Sequence, residues 1–237
     1  MDPPPEPPED LLVKLPWGCL LATALLGASL VFAIILPERL GVSKYSKYAA
    51  PITTATFQAS GLHKALMLYA NDHEGRFPEG ITNSNEAFRE LFPEQLQEEK
   101  PFYVPGSAWH AAAPGRKPDN DIGVPPAYEQ ALQPGENHWA YVSGLGVESG
   151  GDLPLIADGF VEGAPGTYTD DPSKKGGVWK GTKAIVVLVS GSARAYPLSP
   201  TTGFRVLRGP ATGAKVDMFH LPAPPPGAAA PKILNPK

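Results

Sequence analysis

The sequence predicts an α+β protein: an N-terminal transmembrane helix, then a domain in which an amphipathic helix packs on an antiparallel β-sheet. Three observations carry this. Residues 17–36 (WGCLLATALLGASLVFAIIL) hold no charged side chain. From Thr53 to Asn71 apolar residues recur at helical spacing. After residue 100, short runs rich in β-branched and aromatic residues alternate with turns marked by glycine and proline, as expected for strands of a sheet whose helices keep to one side.

Residues 1–16 open the chain with a proline-rich acidic stretch that offers little to bury, so a disordered tail is expected there. At 1.5 Å per residue the run 17–36 is roughly 30 Å long, the hydrocarbon thickness of a bilayer. Pro16 and Pro37 bracket it, and Trp17 suits the membrane interface. A cleaved secretory signal would start basic and carry a shorter apolar region. Here the start is acidic, with Lys14 as its only base, so an uncleaved anchor is expected. Cys19 is the only cysteine, which excludes an internal disulfide framework and a cysteine-cluster metal site. The apolar run follows Cys19 rather than preceding it, which excludes lipoprotein processing. The net charge of −4, with lysines scattered, leaves no basic excess for nucleic acid.

Residues 37–52 read as a linker, in which Gly41 and Pro51 interrupt any continuous helix. Residues 53–221 form the globular part. Its first helix places Phe57, Gly61, Leu62, Ala65, Leu66, Leu68 and Tyr69 within about half its circumference, with Ser60, His63, Lys64, Met67 and Asn71 opposite. Phe57, Leu62, Ala65, Leu66 and Tyr69 are the expected packing or interaction residues, with Leu66 buried and His63 exposed. Gly75 and Pro78 end the helix. Residues 83–96 predict a short helix capped by Asn83 or Ser84, with Phe88, Leu91 and Phe92 inward. Strands are expected at Phe102–Val104, His138–Val142, Leu153–Ala157, Ala184–Val189 and Ala193–Leu198. Ser190 and Gly191 supply a two-residue turn joining the last two, and Pro197 puts the final strand at an edge or ends it there. Long loops occupy 105–135 and 159–182. Residues 222–237 are mostly proline and alanine and predict a second disordered tail.

The layout, together with the helix end at Ala65, Leu66, Tyr69, Asp72, Gly75, Phe77 and Pro78, resembles bacterial type II secretion pseudopilin-like proteins of the type IV pilin superfamily. The resemblance extends from residue 17 to about residue 198, where PLIADGF and KAIVVLVSGSARAYPL look like the closing β elements of such proteins. Ser190-Gly191-Ser192 stands where one of these usually carries an Asp-Gly-Ser turn. The basic leader, the processing site and the early helix glutamate of prepilins have no counterpart, so the expected form is a pilin-like domain on a permanent anchor. The resemblance implies a non-enzymatic component of a type II secretion-like or envelope system. Its implied partners are membrane or envelope proteins, other pseudopilin-like subunits among them. It places the domain outside the cytoplasm on the inner membrane. Lys14 before the span against Arg39, Lys44 and Lys47 after it argues for the opposite orientation, but long domains translocate largely regardless of loop charge.

Enzymatic chemistry has weaker signals. In GGVWKGTK (176–183) Gly176 and Gly181 have phosphate-loop spacing, but the chain continues Thr-Lys and a strand follows where a helix is needed. No serine sits in a nucleophile-elbow pattern, and Ser107, Ser190 and Ser192 read as turn residues. His110, His138 and Asp158 are the set that would meet in an anchored enzyme, ligand-binding or sensor domain, with a metal ion as one use. Clustering in a pocket would favour that rival. Asp119, Asp121, Asp152, Asp158, Asp170 and Asp171 offer loop oxygens for calcium, which pseudopilins of this kind often hold, yet no spacing resembles an EF-hand. The expectation is therefore no catalytic residue, no cofactor and no metal.

Overall fold

The computed structural model describes residues 42–110, 118–209, 213–224 and 230–237. The tail at 1–16 and the span at 17–36 lie outside these; among the described residues no helix is long and apolar enough to cross a membrane. The chain forms two units, Met1–Ala49 and Ala50–Lys237, and the second is the α+β body.

Helix α1 runs Val42–Asp72 with Pro51 inside it, so Pro51 does not interrupt the helix as expected and residues 42–52 of the expected linker are helical. Proline removes one donor from the ladder, yet the helix continues on both sides of it. Ala55, Ala59, Leu62, Ala65, Leu66 and Ala70 are buried and share one core with Trp139, Tyr141, Ile156, Ile185 and Val187. The face is rotated from the expected one. Phe57 is 74 % exposed and Leu68 55 %, whereas His63 is only 8 % exposed. Four alanines line the contact, and small residues that admit close approach weigh little in a hydropathy pattern dominated by Phe57 and Leu68. His63 is paired where it is buried: its Nε2 donates to Val189 O at 2.9 Å.

The helix ends in a left-handed cap. Glu74 has φ 54° and the Gly75 N–H donates to Ala70 O at 2.8 Å. Gly75 has φ 78°, and a Cβ there would lie 3.0 Å from Val147 Cγ2. Beyond it Val147 N donates to Gly75 O at 2.9 Å and Phe77 N to Leu145 O at 3.2 Å. The helix therefore stops where its exit is stitched to the segment leaving the first strand. Helix α2, Ser84–Arg89, is capped by Asn83, which accepts from Glu86 N at 3.2 Å. Phe88, Leu91 and Phe92 are buried as expected. The helix is shorter than 83–96 because Pro93 disfavours helical backbone at Phe92 and the chain continues in turns.

The strands are β1 Trp139–Ser143, β2 Pro154–Asp158, β3 Lys183–Leu188, β4 Ala193–Pro197, β5 Leu207–Arg208, β6 Val216–Asp217 and β7 Lys232–Leu234. Five make an antiparallel sheet in the order β4-β3-β2-β1-β7, and β5 pairs with β6. β4 is an edge, as Pro197 requires. The β3–β4 loop has three residues, not two. Gly191 N donates to Leu188 O at 2.9 Å, Leu188 N to Ser192 O at 3.1 Å, and Gly191 sits at φ 82°, a turn followed by a left-handed bulge residue. A Cβ on Gly191 would lie 3.0 Å from His63 Cε1, so this bend also seats the α1 histidine. The expected strand at Phe102–Val104 is instead a 3₁₀ turn, Lys100–Phe102, opened by Pro101.

Trp139, Tyr141, Ile156, Ile185 and Val187 face the helices, while Ala140, Ala157, Ala184 and Val186 face a second core with Phe160, Tyr168, Val206, Met218 and Phe219. Three small alanines on that second face leave room for the aromatic cluster. The disorder expected throughout 222–237 does not hold. β7 pairs with β1, Leu234 is buried, and Asn235 accepts from Ser84 N through its carbonyl and from Phe160 N through its side chain. Two apolar residues suffice because β1 already presents a strand edge. A compositional reading averages them into the surrounding proline and alanine.

Candidate functional site

Asp158 closes β2 and His138 immediately precedes β1. The register that sets Trp139 opposite Asp158 brings the two side chains together. His138 Nε2 donates to Asp158 Oδ1 at 2.7 Å, leaving Nδ1 to accept from the Ser107 hydroxyl at 2.6 Å. Asp158 Oδ2 accepts from Trp179 Nε1 at 2.8 Å and from Ile185 N at 2.6 Å. His138 and Asp158 are 1 % and 0 % exposed. His110 lies beside them, its ring centre 6.3 Å from that of His138. Its Nδ1 donates to Gly135 O at 2.7 Å and its Nε2 accepts from Val104 N at 3.1 Å. Burial pushes its pKa down to about 4; the bond to Gly135 O opposes this and nearby His138 adds to it.

The structure thus brings together His110, His138 and Asp158 and adds Ser107, which the sequence marks only as a turn residue. No local motif flags Ser107, because its partner lies 31 residues away. A metal ion does not fit here: every ring nitrogen of both histidines already has a hydrogen-bond partner within the protein. The Ser–His–Asp connectivity has the elements of a nucleophile, a base and an orienting acid. Yet the described surface grooves are lined by other residues, and Ser107 is 6 % exposed. As built, the network clamps the 104–110 segment and the Trp179 loop onto β1, β2 and β3.

One oxygen each from Glu99, Asp119 and Glu136 lie within 4.8 Å of one another. Both Glu99 oxygens already accept N–H groups, from Leu132 at 2.5 Å and Asn120 at 3.0 Å, and Glu136 accepts from Gln133 N at 2.5 Å. Burial raises the Glu99 carboxyl; those N–H groups oppose the shift and the Asp119 charge adds to it. Of the other aspartates considered for calcium, Asp121 and Asp171 accept turn N–H groups and Asp152 pairs with Arg208. Residues 176–183 form turns leading directly into β3, without the helix a phosphate loop needs.

Among the packing residues, Leu62, Ala65 and Leu66 lie in the helix–sheet core and Phe57 lies outside it. Tyr69 is partly buried, stacks on His73 and donates its hydroxyl to Glu90 at 2.5 Å, joining α1 to the turns after α2. No protein-family model matches the chain, and no curated protein and no solved structure matches it either.

Proposed function

We propose that the chain is a non-enzymatic, single-pass membrane protein with a pilin-like ectodomain, a structural or interaction component of a type II secretion-like or envelope system. Residues 17–36 anchor it in the inner membrane, and the domain lies on the periplasmic side. The observation that carries this reading is α1. One of its faces is buried on an antiparallel sheet, while the opposite face presents Phe57 and Leu68 at 74 % and 55 % exposure. Such a helix is both part of the fold and a contact surface for membrane or envelope proteins, other subunits of the same type among them. The reading needs no cofactor. Its test is purification of tagged protein from its native membrane. Envelope proteins are expected to co-purify and to be lost from a Phe57→Glu/Leu68→Glu variant of unchanged melting temperature; an empty eluate from the native protein sinks the proposal.

A second reading, a membrane-anchored hydrolase, is favoured by one observation, the unbroken hydrogen bonding of Ser107, His138 and Asp158. A fluorophosphonate probe separates the two readings. Labelling that Ser107→Ala removes makes the protein an enzyme; an unlabelled native chain leaves the network a clamp.

A further inference from the structure

We propose that a groove between the end of α1 and the turns after α2 docks an extended, arginine-bearing peptide segment of a partner protein. This deepens the interaction reading above and rests on it. The groove encloses about 620 Å³, with Tyr69 and His73 on one side and Phe92, Pro126 and Tyr128 among the residues on the other. It continues into a second depression of about 550 Å³ that shares Tyr69, His73 and Glu90. Two joined depressions suit a chain rather than a compact ligand.

One side of it is preformed. The Tyr69 and His73 rings stack 3.7 Å apart and 2° from parallel. His73 Nδ1 donates to Tyr69 O at 2.7 Å, and the Tyr69 hydroxyl is tied to Glu90. Burial and the Glu90 acceptor raise the Tyr69 pKa, so the hydroxyl keeps its proton and the tie holds. A flat aromatic face bordered by carboxylates suits a guanidinium, which stacks and forks at once, better than an ammonium. The proline and phenylalanine walls suit the aliphatic stem of the same side chain.

Charge selects the same occupant. The residues lining the two depressions include six acids against two arginines, Arg76 and Arg89. That excess of four acids lines one continuous stretch of surface, so the potential along the groove favours a cation. Arg76 lies 3.6 Å from Glu74, and Arg89 spends its Nε on Ala131 O. These acids are spread along the groove rather than converging; among the described residues the only convergent carboxylate set is the one at Glu99. The arrangement therefore suits a row of cations, not one metal ion.

The test is fluorescence anisotropy with full-length protein in neutral detergent micelles and a labelled hexa-arginine peptide. Saturable binding is expected, weakening with salt, with hexalysine bound several-fold less tightly because it cannot stack. Tyr69→Leu/Glu90→Gln, and separately Glu79→Gln/Glu94→Gln with Tyr69 intact, should each weaken it about ten-fold. Glu162→Gln/Asp170→Asn, outside the groove, should leave it unchanged. Absence of binding, equal binding of hexalysine, or an equal loss in the control pair overturns the proposal. So does self-association that the groove substitutions abolish without any peptide binding, which would give the groove to a second copy. Failure of the peptide with co-purifying envelope proteins intact removes the groove and spares the interaction reading. Peptide binding that survives the loss of those partners does the reverse.

Discussion

Asp158 holds together four parts of the molecule through one carboxylate: His138, Trp179, the backbone of β3 and its own strand. Replacing it by alanine leaves the His138 Nε2–H, the Trp179 Nε1–H and the Ile185 N–H without an acceptor in a site of 0 % exposure. Breaking a buried pair in this way costs about 3–5 kcal/mol. Asp158→Ala should therefore lower the urea midpoint of the domain more than an ordinary surface substitution, with Ser107→Ala milder. His110 makes stability depend on pH. Its folded pKa of about 4 lies below the unfolded value, so between the two the unfolded chain binds more protons. Its contribution is complete above about pH 6.5 and is lost as pH falls toward 4, on the order of 3 kcal/mol in all. The raised Glu99 carboxyl acts with the opposite sign, gaining stability as pH falls, so the comparison must be between the native chain and His110→Asn. The variant should lose stability less steeply on acidification, and the imidazole resonances of His110 should titrate near pH 4; a titration near 6.5 would contradict the buried environment.

At the scale of elements, the two faces of α1 should respond differently. Leu66→Ala should cost about 2–5 kcal/mol, and Leu66→Asp should unfold a fragment spanning residues 50–237. Phe57→Ala, on the exposed face, should stay within about 0.5 kcal/mol. Thermal melts of the three variants decide it; equal tolerance would mean that α1 does not rest on the sheet. β7 provides a second check. Removing residues 230–237 uncovers the edge of β1 and deletes Leu234 and Asn235 from their contacts, so the shortened chain should melt well below the full one. A peptide of sequence APKILNPK added in trans should restore part of the difference. The two helices, β1 to β4 and the antiparallel sense of their sheet are legible in the sequence because each rests on local periodicity and turn residues, as AIVVLV and the Asn83 cap illustrate. The rotated face of α1, the pairing of His63 and the docking of KIL are not. The first depends on a core gathered from several distant elements, and the other two on partners more than 80 residues away in the chain.

For the whole molecule, residues 17–36 carry the membrane reading, and two fractionations test it. The protein should stay in the pellet after alkaline carbonate extraction; a shortened soluble product starting near Ile34 would show signal cleavage instead. Protease added to intact spheroplasts should remove the domain after residue 38. Full protection would give the orientation to the charge count at Arg39, Lys44 and Lys47.

By itself the sequence determined what hydrophobic periodicity and composition can express: an uncharged run of membrane length, an α+β body, a helix closing on Gly75 and the approximate strands. These follow from the chain's own neighbours, one turn or one pleat away. Only the tertiary structure decided which helix face is covered, that the tail supplies a strand, and that Ser107, His138 and Asp158 share one chain of hydrogen bonds. It also decided that six acids and only two arginines line the groove beside the Tyr69–His73 stack. The physical reason is the same in each case. Burial, pairing and local field depend on which distant segments the sheet register brings together, and no single stretch of residues contains that information.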